Sequence, residues 1–346
     1  MLAVLLAGTL LVGTAVLAAE AADCEPRIVA VFDVGSGTTR MQVADIAECL
    51  NSGPRSLLRR EVALGFAADL ERQDEARFSD AMMQQATAAL ASLAEIARNA
   101  GAEELLGVAT AAFRRAENAV ELTQDWQIRF GLQLNIISQA EEARLAYRMI
   151  EIGLDDPSAL VVWDIGAGSQ QLVWRRPEDG RFEYFNSSLA AVTFRNLAMR
   201  ELGRPSDAVT PNPIWPAEAS LLRHRVRERV SAEVPPVLVA LIRGGARVVG
   251  VGGVHGASLI GQVGLRSGDE LSRSRLAEVL DHRLGLDDAA VGGAYADTQV
   301  TNLILVLELM SIYGIESYRA TRADLTDALL VEVVDLAGRS VTERMP

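Results

Sequence analysis

The chain has 346 residues, with 33 Lys+Arg against 46 Asp+Glu, 3 His and 2 Cys, and because no lysine occurs every one of its cations is an arginine. That composition excludes a P-loop, a Schiff base, a lysine general base and a cysteine-rich zinc site, and it disfavours a His-rich metal site, so proton transfer falls to a carboxylate. The length suits two domains, and a net charge of −13 argues against nucleic acid or an anionic membrane surface as a default partner.

Residues Leu2 to Ala19 are almost continuously apolar and run into Ala19-Glu20-Ala21, a small-x-small site of the kind signal peptidase reads. A cleaved export signal over residues 1–22 is expected, with the periplasm as destination if the source is Gram-negative. About 18 apolar residues can also just span a bilayer, and no basic segment precedes them, so a membrane anchor formed by residues 2–19 is the alternative. Next, an apolar run from Ile28 to Phe32 and an alternating one from Thr39 to Ile46 flank a glycine turn, as in a hairpin centred between Ser36 and Gly37. Residues whose numbers sum to 73 then lie opposite one another, and those of Cys24 and Cys49 do. In an oxidising compartment a Cys24–Cys49 disulfide would close the open end of this hairpin, the alternative being two free thiols that face each other.

The segment Val31-Phe32-Asp33-Val34-Gly35-Ser36-Gly37-Thr38 recurs 131 positions later as Val162-Trp163-Asp164-Ile165-Gly166-Ala167-Gly168-Ser169, and each copy continues into an apolar alternating strand. A buried strand, an Asp, a Gly-x-Gly turn and a hydroxyl residue at a domain-sized spacing predict two related lobes. The backbone of Gly35, Ser36, Gly37, Thr38, Gly166, Ala167, Gly168 and Ser169 can cradle phosphate, since glycine allows close approach and successive N–H groups form an anion nest. Asp33 and Asp164, at the strand ends, can bind a divalent cation or orient water.

Between the copies, Arg114 follows the apolar run Leu105 to Ala109 and the Thr110 turn, and its guanidinium fork could bind two oxygens of a transferring phosphoryl group. Arg40, at the end of the first loop, either faces the phosphate or points outward from its strand. Ser138-Gln139-Ala140-Glu141 reads as a capping box opening a helix that continues through Ala143, Leu145, Ala146, Met149 and Ile150. Glu141 is then structural, whereas Glu142 projects about 100° further round and is free for chemistry. Farther on, Arg223, Arg225, Arg227 and Arg229 read as a solvated helix face, with a basic rim for a polyanion as the alternative. Gly252 and Gly253 end a strand over Arg247–Val251, and His255 reads as a structural histidine.

The two loops resemble the phosphate loops of the actin and sugar-kinase superfamily. Val108-Ala109-Thr110 with Arg114, Ala116 and Asn118, then Ile137-Ser138 with Glu141-Glu142-Ala143-Arg144-Leu145, are similar to motifs of its exopolyphosphatase and guanosine-pentaphosphate phosphohydrolase branch, the Ppx/GppA family. Val249-Gly250-Val251-Gly252-Gly253 and the stretch from Asn302 to Glu332 resemble that family's C-terminal glycine loop and helix, so the likeness spans about residues 27–335. It implies an α/β fold with two ribonuclease-H-like, actin-like ATPase lobes of mixed sheets flanking a cleft. Lobe I would cover residues 25–145 and lobe II 150–325, joined near Asp156-Pro157-Ser158, with a C-terminal helix in 326–346 that could pack back on lobe I. The resemblance also implies Glu142 as the base for the attacking water, Arg114 as an electrostatic clamp, and Mg²⁺ at Asp33 and Asp164.

Three positions depart from the family pattern: Gln171 stands where a carboxylate is usual, Gly37 where an asparagine is usual, and Gln139 where a glycine is usual. The expected activity is release of terminal phosphate from inorganic polyphosphate, short chains preferred, or from guanosine pentaphosphate. Nucleic acid is not an expected partner, and a homodimer is compatible with the sequence. The alternative is a non-hydrolysing phosphate or nucleotide sensor that uses the same cleft.

Overall fold

The computed structural model describes residues 25–47, 53–154, 159–293 and 295–338. The expected export signal or anchor, Cys24 and Cys49 with their expected disulfide, and the Asp156-Pro157-Ser158 junction lie outside the described residues.

Lobe I opens with strands β1 (Ile28–Val34), β2 (Thr38–Asp45) and β3 (Arg55–Ala63), paired antiparallel. The β1–β2 partners run from Ile28 opposite Asp45 to Val34 opposite Thr39, the register expected for a turn centred between Ser36 and Gly37. Helices α1 (Phe66–Leu70) and α2 (Asp80–Asn99) lead to β4 (Glu104–Ala109), and α3 (Ala111–Arg115) and α4 (Ala119–Phe130) lead to β5 (Leu132–Ile136). The sheet order is β3-β2-β1-β4-β5, with β4 and β5 added in parallel. β1 is apolar without alternation from Ile28 to Phe32 because both of its faces are covered. Ala30, Phe32 and Val34 pack on α2 and α4 through Leu90, Leu93, Ala97 and Trp126, while Val29 and Val31 face the opposite side.

Helix α5 (Gln139–Glu151) leads into lobe II, where β6 (Leu160–Ile165), β7 (Gln170–Arg175) and β8 (Phe182–Ser187) form the second antiparallel meander. Helices α6 (Ala191–Glu201), α7 (Pro216–Val230) and α8 (Pro236–Arg243) precede β9 (Arg247–Val251), which runs through a π-helical turn, Val254–Leu259, into α9 (Ile260–Val263). Strand β10 (Glu270–Ser272), helices α10 (Arg273–Arg283), α11 (Asp288–Val291) and α12 (Ala296–Tyr313), and strand β11 (Ser317–Ala320) complete the lobe. Its sheet order is β10-β11-β9-β6-β7-β8. The run β8-β7-β6-β9-β11 thus repeats β3-β2-β1-β4-β5 in both order and strand direction. The 131-residue repeat seen in the sequence is a repeat of topology.

Helix α12 is apolar nearly all round and buried, as such a helix must be. Its one buried acid, Glu308, is paired with Arg223 (2.9 Å) and Arg227 (2.6 Å) of α7. Arg225 pairs with Glu201 and Glu228. Of the arginines expected on a solvated face, Arg227 and Arg229 are exposed, while Arg223 and Arg227 also fasten α7 to α12 and Arg225 fastens it to α6. A carboxylate inside an apolar helix needs a cation, and sequence spacing on α7 alone cannot reveal it. Beyond β11 the chain crosses to lobe I, where α13 (Leu325–Gly338) lays Leu330 against Val29, Val31, Ala44 and Ile46, and Leu325 and Ala328 against Val108 and Leu145.

Candidate functional site

The two glycine turns meet at the floor of an interlobe cleft of about 720 Å³. Each turn is closed by its own backbone, with Gly35 N–H donating to Thr38 O and Gly166 N–H to Ser169 O. Each is also gripped from outside. The carbonyls of Gly37 and Ser36 accept from Leu64 and Ala67, and those of Gly166 and Ala167 accept from Ala191 and Val192. With the carbonyls drawn outward, the amides of Ser36, Gly37, Ala167 and Gly168 donate to no backbone acceptor among the described residues, and all four residues line the cleft. The loops also touch: a Cβ on Gly37 would lie 3.0 Å from Ala167 Cβ, and one on Gly168 3.0 Å from Ser36 Oγ. A side chain at either place would need its neighbour on the other loop to give by a few tenths of an ångström. The Ser36 hydroxyl accepts from Ala112 N–H at 3.0 Å, which ties the first loop to the start of α3.

Glu142 sits one residue beyond the capping box, which forms as the sequence predicts: Ser138 Oγ accepts from Glu141 N–H, and Glu141 Oε2 accepts from Ser138 N–H at 2.8 Å. Glu141 is thereby occupied at the helix end, and Glu142 is turned into the cleft wall, where it is buried. Arg114 Nη1 donates to Glu142 Oε2 at 2.8 Å and to the carbonyl of Ile137 at 3.0 Å. Arg114 is not among the residues lining the cleft. Its guanidinium contacts the glutamate and holds it in place.

The cation that does face the cleft from lobe I is Arg40. It lies 3.6 Å from Asp33, 3.6 Å from Glu61 and 3.7 Å from Asp324, so its strand points it inward. These contacts are ionic and too long for tight hydrogen bonds. Burial opposes the charge on Arg40, and the three carboxylates more than offset that, keeping it protonated. Asp33 is pushed up to about 7, by burial first, with Arg40 opposing and Asp324 and Glu142 adding to the rise. Asp164 is pushed up to about 8 by burial, then by Glu142 and Asp33. Two buried carboxylates driven toward their neutral forms are short of positive charge, and Asp33 Oδ1 has no hydrogen-bond partner. Among the described residues no group of three or more His, Cys, Asp or Glu is placed to hold a metal ion. Two hard oxygen donors with an unsatisfied atom suit Mg²⁺, which commonly takes one or two carboxylates and draws further oxygens from substrate phosphates.

The second loop carries one more polar chain. Gln171 Nε2 donates to Asp164 Oδ2 at 3.2 Å, and Gln139 Nε2 reaches Gln170 O at 3.3 Å and Gln171 Oε1 at 3.5 Å. Gly252, at φ +82°, ends β9 against Asp164, where any Cβ would overlap the carboxylate oxygen. His255 is fully buried and bonded through Nδ1 to the Tyr318 hydroxyl at 2.8 Å, and burial drives its pKa down to about 3, which suits a structural histidine. Sequence reasoning missed Arg195, Arg283, Tyr295 and Asp324, all of which line the cleft. Arg195 is paired with Asp297, and Arg283 donates to the carbonyl of Val291. Asp324 carried a local signal only as a helix start, since its carboxylate accepts from Thr326 N–H at 2.9 Å.

A model of the Ppx/GppA phosphatase family matches residues 43–195, the stretch that carries Arg114, Glu142 and the second loop. The fold is similar to that of the Aquifex aeolicus member of the Ppx/GppA family, at 18% identity, covering 91% of this chain and all of that one, with a TM-score of 0.71. It is similar as well to an exopolyphosphatase from Cytophaga hutchinsonii, at 15% identity, covering 89% of this chain and 98% of that one, with a TM-score of 0.71. An exopolyphosphatase-like protein matches at 19% identity over 89% of this chain and 98% of its own, with a TM-score of 0.72. The family match takes in the second loop, Arg114 and Glu142, and the two-lobed fold is shared over about nine-tenths of the chain, so in both respects the chain is similar to the Ppx/GppA phosphatases.

Proposed function

We propose that the chain is a phosphohydrolase that releases the terminal phosphoryl group of a phosphoanhydride by attack of water in the interlobe cleft. The observation that carries this reading is the convergence of Glu142 with two turns whose amides face the same space. Charge on a transferring phosphoryl group spreads over its non-bridging oxygens, and fixed amide dipoles at the loops offset it without reorganising. Glu142 accepts a proton from water as its oxygen bonds to phosphorus and the bridging P–O bond breaks, the shortened phosphate leaving with the electron pair. Arg114, bound to the far oxygen of Glu142, keeps the other free for water. Arg40 is placed to exchange its acidic partners for a phosphate oxygen. A divalent cation such as Mg²⁺, held by Asp33 and Asp164, would supply charge neutralisation and orient the phosphate.

Short-chain polyphosphate or guanosine pentaphosphate is the proposed substrate. The net charge of −13 and the carboxylates around the cleft disfavour a long polyanion. Phosphate release from tripolyphosphate and from guanosine pentaphosphate, by wild type and Glu142→Gln, tests the reading. We expect turnover by wild type and a loss of about 10²–10⁴ in kcat for the variant, the range of general-base contributions. The second reading, a non-hydrolysing sensor, is favoured by Gln171 and Gln139 in place of the usual residues. Tight binding by wild type with no phosphate released decides for it. The apolar run from Leu2 to Ala19 supports export, and Edman sequencing of protein recovered outside the cytoplasm should begin near residue 22; an intact amino terminus there would favour the anchor.

A further inference from the structure

Two amide side chains join the helix of the glutamate to the second glycine loop. Gln139 is the first residue of α5, three positions before Glu142, so the two share a face of that helix. Its Nε2 leaves α5 for the lobe II sheet, where it meets the Gln170 carbonyl and Gln171 Oε1. Gln171 is 1% exposed and stands opposite Asp164 in the β6–β7 ladder, and its Nε2 donates to Asp164 Oδ2. The primary amide at position 171 accepts at one end and donates at the other, whereas an ionised carboxylate has no hydrogen to offer Asp164 and an apolar side chain has neither group. Gln139 therefore selects which way the Gln171 amide faces, and Gln171 in turn fixes the rotation of the Asp164 carboxylate. Charge points the same way. Glu142 and Asp33 already raise the proton affinity of Asp164, and a further carboxylate against it would add to that repulsion.

We propose that Gln139 and Gln171 act as one positioning unit for Asp164, holding its carboxylate oriented for a divalent cation while keeping position 171 neutral. This rests on the proposed placement of a cation at Asp33 and Asp164. Neither glutamine touches substrate in this role; both act through Asp164. Amides behind a ligating carboxylate commonly govern cation affinity by about 10–100-fold.

The experiment uses the full chain and two readouts: the rise in melting temperature with added MgCl₂ or MnCl₂, and turnover of tripolyphosphate. Gln171→Leu is expected to weaken cation affinity about tenfold and to lower kcat with little change in KM. Gln139→Ala should reproduce part of that loss, and the double variant should be no worse than Gln171→Leu alone. Gln171→Glu should melt lower than wild type without a cation and recover with one, because a bridging cation relieves the contact between carboxylates. That variant also carries the test if Gln171→Leu fails to fold. Losses that add fully in the double variant, a Gln171→Glu melting response equal to that of wild type, or a wild type with no cation-dependent shift would each overturn the proposal. The melting readout needs no turnover. A wild type that binds the cation yet releases no phosphate would sink the phosphohydrolase reading and leave the glutamine unit standing.

Discussion

Glu142 shows how one buried acid can be held in place and still left available. Its Oε2 is taken by Arg114, which is itself anchored on the Ile137 carbonyl, and the capping of α5 by Ser138 and Glu141 fixes the backbone beneath it. Removing the guanidinium leaves a buried carboxylate without its strongest partner. Arg114→Gln should therefore cost about 1.5–3 kcal/mol of stability in urea unfolding, the scale of a hydrogen bond to a charged group. In turnover it should lower kcat more than it raises KM, because Arg114 does not line the cleft. A variant that raised KM with kcat intact would instead mark Arg114 as a substrate contact. The division between Glu141 and Glu142 was legible in the sequence, since a capping box is a signal confined to four consecutive residues. The pairing of Arg114 with Glu142 was not, because 28 positions separate partners that only the sheet and α5 bring together.

The glycine turns show what an element can be asked to do when its contacts are backbone. Both were legible as Gly-x-Gly after a buried strand, and the register of the first hairpin followed from its centre. What the sequence left open was the inward direction of Arg40: alternation along β2 separates two faces without saying which one borders a cleft. Arg195, Arg283 and Tyr295 carried no motif, and their place depends on how α6, α10 and α12 pack around lobe II. Gly252 belongs to the same class of constraint, combining a left-handed backbone with direct approach to Asp164. Gly252→Ala adds both conformational strain and overlap with a carboxylate that the loop must hold. It should abolish most phosphate release and lower the melting temperature, whereas the same substitution at Gly180, also at positive φ but with open space around it, should leave activity unchanged. Equal losses at both positions would assign the Gly252 effect to strain alone.

For the molecule as a whole, the buried acids set a pH dependence of unusual sign. Asp33 and Asp164 hold their protons to about 7 and 8 in the folded chain, while the unfolded carboxyls release theirs near 4. At these two groups the folded state binds more protons than the unfolded one between those limits, while His255, pushed down to about 3 from 6.5, opposes them below its unfolded value, so stability falls most steeply near pH 7 and levels off above 8. Melting in chelator at pH 5, 6, 7 and 8 should show this decline, and Asp164→Asn should flatten it. A wild-type slope no steeper than that of the variant would show that Asp164 is ionised throughout. The crossing of the chain from β11 back to lobe I has a consequence for synthesis. Val29, Val31, Ala44 and Ile46 are made before lobe II, yet their cover, Leu330, is made after it. On the ribosome, lobe I can assemble its helical side while the opposite side of its sheet stays wet, and only the emergence of α13 closes it. The sheet that carries the first phosphate loop is therefore completed after lobe II, and a chain stalled before α13 would present a bare apolar face to chaperones.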